Sequence, residues 1–119
     1  FDGLQQVGRV RSAVAALERE TAQRTALRHR VEFEIQTGYA RLEAARLRRD
    51  HAEQAVVLAR EAHAIAATRY RNSLAPITDL LAAGAAETAA ATRLAAARYD
   101  IVVAAGAYRV AAGLSPREE

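Results

Sequence analysis

Apolar and small residues recur along this chain in alternating steps of three and four. The series runs Val7, Val10, Val14, Leu17, then Thr21, Arg24 and Arg28. It resumes at Val31, Ile35, Gly38, Leu42 and Ala45, passes Arg49, and continues through Ala52, Val56, Ala59, His63, Ala66 and Tyr70. A repeat of 3.5 residues is the seam of a helix packed in coiled-coil fashion. The charged interruptions weaken the seam where they fall. A second stripe, Leu58, Ala62, Ile65 and Arg69, lies on a neighbouring face, and Leu27, Phe33 and Tyr39 spread around the helix. An arc this wide predicts more than one neighbour.

Between Arg9 and Asn72 there is no proline, and Gly38 is the only glycine. The pattern therefore predicts one long helix over 9–72, roughly 95 Å at 1.5 Å per residue. Asn72-Ser73-Leu74-Ala75-Pro76 breaks it. Pro76 is expected as the first residue of a second helix, where its missing N–H costs nothing. Asp79 falls in the first turn, favourable to the helix dipole, and Asn72 or Ser73 can supply capping oxygens. The second helix is expected over 76–113, with Ile77, Leu80, Gly84, Ala91, Leu94, Arg98, Ile101, Ala105, Tyr108 and Ala112 on its seam. Gly113, with Pro116 soon after, supplies the stop, and 114–119 form a tail. The predicted fold is all-α: a long antiparallel helical hairpin with unequal arms. Its unpaired portion still carries Val7 to Leu17, Val31, Phe33 and Ile35, which need cover from elsewhere.

Composition narrows the chemistry. The 119 residues contain no cysteine, tryptophan or methionine, and the net charge is +3. Disulfides and cysteine nucleophiles are excluded. Every basic residue is arginine, and arginines alternate with acids, as in Glu18-Arg19-Glu20. That is a solvated, paired helix face, and even the densest cluster, Arg46, Arg48 and Arg49, lacks the aromatic residues that stack on bases. No nucleic-acid partner is expected. No run of about 18 apolar residues exists to span a membrane. Phe1-Asp2-Gly3 is neither a translation start nor a secretory signal, which suggests an excised or mature segment.

His29, His51 and His63 are too far apart in sequence to share one face as metal ligands. A Glu53/His63 or Asp50/His51 pairing is conceivable, but surface or seam histidines are the simpler reading. Ser12, Ser73 and Ser115 have no base nearby, and phosphate-binding glycine patterns are absent. No catalytic residue, cofactor site or metal site is expected, and the chain does not read as an enzyme.

The stretch Arg69-Tyr70-Arg71-Asn72-Ser73-Leu74-Ala75-Pro76-Ile77-Thr78-Asp79-Leu80-Leu81-Ala82-Ala83 resembles the periplasmic tip signature of the TolC-like outer-membrane factors, RY-x-x-G-x-x-x-x-x-DLL-x-A. Ala97-Arg98-Tyr99-Asp100 and the close Tyr108-Arg109-Val110-Ala111-Ala112-Gly113-Leu114 resemble later elements of that family. Phe1-Asp2-Gly3 resembles the element at which the last membrane strand passes into the long helix, so 1–8 would be that exit. The resemblance covers essentially the whole chain.

It implies a homotrimer whose helices form a periplasmic α-barrel. This chain would be the second repeat's hairpin, anchored in the outer membrane by sequence outside it. Such proteins are passive efflux or secretion ducts, served by a periplasmic adaptor and an inner-membrane pump. The adaptor would dock at the tip, Asn72, Ser73, Leu74, Ala75 and Pro76, and the periplasmic entrance would involve Tyr70 and Asp79. Ser73 stands where the family has glycine, so a positive φ would be costlier there. Ala75 and Ala82 replace the family's arginine and second acidic residue, which leaves gate charge to Asp79. A three-fold ring of Asp79 would favour cations. The alternatives are the hairpin of the adaptor itself, whose arms are usually comparable in length, and a purely structural coiled coil.

Overall fold

In the computed structural model, residues 2–114 are described, and they form two helices joined by one turn. Helix α1 spans Asp2–Arg71, 70 residues, and helix α2 spans Ile77–Ala111, 35 residues. The described residues contain no strand. The all-helical hairpin expected from the periodicity is what the chain forms.

The boundaries differ from the expected ones in instructive ways. Helix α1 begins at Asp2, not Arg9, so residues 2–8 are helical where the family resemblance places a strand exit. Gly3 and Gly8 each weaken a helix by about 1 kcal/mol without breaking it. Phe1, the first residue of that element, lies outside the described residues, as do Ser115 and Pro116 and the rest of the predicted tail beyond Leu114. Helix α2 begins at Ile77, with Pro76 as its N-cap.

The chain divides into two units, residues 2–37 and residues 38–114 among those described. In the first, every residue from 2 to 34 is exposed, including Leu4, Val7, Val10, Val14 and Leu17. Local contacts support this helical stretch. Arg24 pairs with Glu20 at 3.0 Å and Arg30 with Glu34 at 3.3 Å. Such pairs contribute about 0.2–0.5 kcal/mol each. Thr21 and Thr25 donate their hydroxyls to the carbonyls of Leu17 and Thr21.

The second unit holds the core. Leu42, Ala45 and Val56 of α1 and Ala90 and Ala97 of α2 are its buried apolar residues. Ala45 is fully covered, at 0% exposure. Burying Leu42 and Val56 stabilises by roughly 1.5–3 kcal/mol each, and an alanine methyl contributes far less. What alanine and glycine permit is close approach. A Cβ built on Gly38 would lie 3.4 Å from the Tyr108 Cα, and the Tyr39 and Tyr108 rings meet edge to face at 6.1 Å.

The α1 seam falls on Gly38, Leu42, Ala45, Arg49, Ala52, Val56, Ala59, His63 and Ala66, all buried or half-buried and all at expected positions. The α2 seam differs from expectation in its middle. It runs Leu80, Ala83, Glu87, Ala90, Leu94, Ala97, Ile101, Ala104 and Tyr108, an unbroken three–four alternation. Ile77, Ala91 and Arg98, expected inward, are exposed. Glu87 stands at the seam, where α1 supplies its partners.

Candidate functional site

The turn between the helices is built by the C-terminus of α1. The Leu74 N–H donates to the Arg69 carbonyl at 2.8 Å and the Ser73 N–H to the Tyr70 carbonyl at 3.0 Å. These crossed bonds, with a left-handed residue between them, form a Schellman motif that satisfies the last carbonyls of the helix. The left-handed residue is Ser73, φ 56°, and it is the only non-glycine with positive φ in the described chain. Glycine would hold this conformation without steric cost; an L-residue gives up about 1–2 kcal/mol.

Asn72 and Ser73 are thus used up in ending α1. Neither caps α2, contrary to the expectation that one of them would: no side chain caps that helix. Pro76 takes the N-cap position rather than the first helical one, with φ −70° and ψ 159°. Its carbonyl accepts from the Asp79 N–H at 3.2 Å. Asp79 lies in the first turn, as its place after Pro76 suggests.

The tip carries uncovered apolar side chains among exposed polar ones. Leu74 follows the left-handed residue, where such motifs usually tuck a hydrophobic side chain back onto the helix. Here Leu74 stays 69% exposed. Tyr70, Ile77 and Leu81 are also exposed, and Ala75 alone of the five turn residues is half-buried. Among the described residues, the side chains of Tyr70 and Asp79 make no hydrogen bond or ion pair, with each other or with any neighbour. The structure therefore places both at the tip end of the hairpin without joining them. Arg71, beside Tyr70, is held by the Thr68 hydroxyl at 3.2 Å.

A second polar constellation was not expected from the sequence. The Glu87 carboxylate of α2 meets His63 Nδ1 at 2.7 Å and Arg60 Nε at 3.4 Å, both from α1. His63 packs over Gly84: a Cβ there would lie 3.6 Å from Nε2, an ordinary van der Waals contact. Glu53 pairs with Arg98 across the helices at 3.3 Å, not with His63. Half-exposed pairs of this kind contribute about 0–1 kcal/mol each. The signal in the sequence was Glu87 at an inward heptad position opposite an inward histidine. His29 approaches Glu32 at 3.6 Å on an exposed face, and His51 is exposed. No group of three or more histidines and acids among the described residues could hold a metal ion. None of the described helices is long and apolar enough to cross a membrane.

Both edges of the hairpin turned away from the seam carry exposed apolar residues. On α2, Leu81, Thr88, Thr92, Tyr99, Val103 and Val110 follow in steps of seven and four, which keeps them on one face. All are exposed, and the two threonine hydroxyls donate to the Gly84 and Thr88 carbonyls. Their methyl groups continue the stripe. On α1, Leu47, Leu58 and Ile65 form the corresponding edge.

No family model, no curated protein and no solved structure matches this chain.

Proposed function

We propose that this chain is the tip-forming hairpin of a TolC-like outer-membrane duct, a passive conduit for efflux or secretion. In this reading it works as a homotrimer in the cell outer membrane, with this segment in the periplasm. A periplasmic adaptor docks at the tip, and an inner-membrane pump supplies the energy. The duct performs no chemistry.

The observation that carries the reading is at Ser73. The resemblance puts a glycine of the family's tip signature at this position, and this is the residue that turns left-handed between the helices. A position that needs φ near +60° is one at which glycine is expected. Two further features support the reading. Apolar stripes on both outer edges suit a hairpin with a neighbour on each side, as in a barrel wall. The exposed Leu74, Ile77 and Leu81 give the tip an uncovered apolar surface on which a partner can dock.

The test uses the absence of cysteine from the sequence. Ser73→Cys, in the protein that carries this segment, places one thiol at the tip. In intact cells a thiol-reactive cross-linker is expected to join it to a periplasmic adaptor, while Leu27→Cys gives no such adduct. A tip thiol that captures no adaptor, in a protein that fractionates with the inner membrane, would assign the hairpin to the adaptor class instead.

A further inference from the structure

We draw no further inference here: the strongest candidate, the uncovered apolar stripe from Leu4 through Val7, Val10 and Val14 to Leu17 on the N-terminal part of α1, is an unpartnered helix face, and nothing in the structure shows what covers it.

Discussion

Residues 38–71 of α1 contain three buried side chains, Leu42, Ala45 and Val56, whereas residues 2–34 of the same helix contain none. By side-chain size the order should be reversed. The exposed stretch carries Val7, Val10, Val14 and Leu17 in heptad register, and much of the covered seam is alanine and glycine. A heptad pattern records that a face can be buried, not that its partner lies in the same chain. In 38–114 the partner is α2, and small residues decide how closely it comes. In 2–37 the apolar stripe has larger side chains and is left to solvent. The same contrast recurs at the helix ends. Both close with the same crossed hydrogen bonds, one around Ser73 at φ 56° and the other around Gly113 at φ 73°. One end is built with the residue suited to that conformation, the other with a residue that strains it.

The largest test of this contrast is a charge in the seam. Val56 is 5% exposed. Val56→Asp places an unpaired carboxylate against α2 and is expected to cost about 3–5 kcal/mol, as unpaired buried charges do. Amide exchange in 38–114 should rise to the level of 2–37, while exchange in 2–37 stays unchanged. Retained protection at Leu42 and Ala97 would show that the seam is not the source of order.

Glycine substitutions make a paired comparison. Gly38→Leu drives a side chain into Tyr108 and should destabilise by roughly 1–3 kcal/mol. A Cβ on Gly8 meets nothing within 4 Å, so Gly8→Ala should raise helix content, with a gain of about 1 kcal/mol. Circular dichroism melts of the two variants should shift in opposite directions.

At the turn, Ser73→Gly should stabilise the hairpin by up to about 1 kcal/mol, and Gly113→Ala should destabilise the end of α2 by a similar amount. Thermal unfolding checks both. A destabilising Ser73→Gly would mean that the serine side chain contributes more than its backbone conformation costs. The smallest effect is expected from Leu17→Ala. Leu17 is 65% exposed, so the stability of this chain should change by no more than about 0.5 kcal/mol.

These cases also mark what was legible in the sequence. The α1 seam from Gly38 to Ala66 could be read residue by residue, because Leu42, Val56 and His63 mark it among less distinctive neighbours. The α2 seam slipped by one residue at Ala91 and Arg98. In a run of alanines adjacent positions are equivalent, and both registers share Leu80, Glu87, Leu94, Ile101 and Tyr108. The acceptability of Glu87 depends on His63 and Arg60, which only the hairpin's register brings near. The turn was legible as a break at Asn72–Pro76 but not in detail, because Asn72 and Ser73 could serve either helix. The backbone spends them on ending α1, which leaves Pro76 to begin α2 without a side-chain cap. The tip's exposed leucines were visible only once the turn was built, since a Schellman motif would ordinarily fold Leu74 inward.

Whether this hairpin belongs to an outer-membrane duct, as proposed, is tested most directly by the complete coding sequence on both sides of Phe1 and Glu119. The account predicts a signal peptide, an earlier copy of the same hairpin, and amphipathic strands leading into the segment. Two halves of a lipoyl-like β domain flanking the hairpin would contradict it.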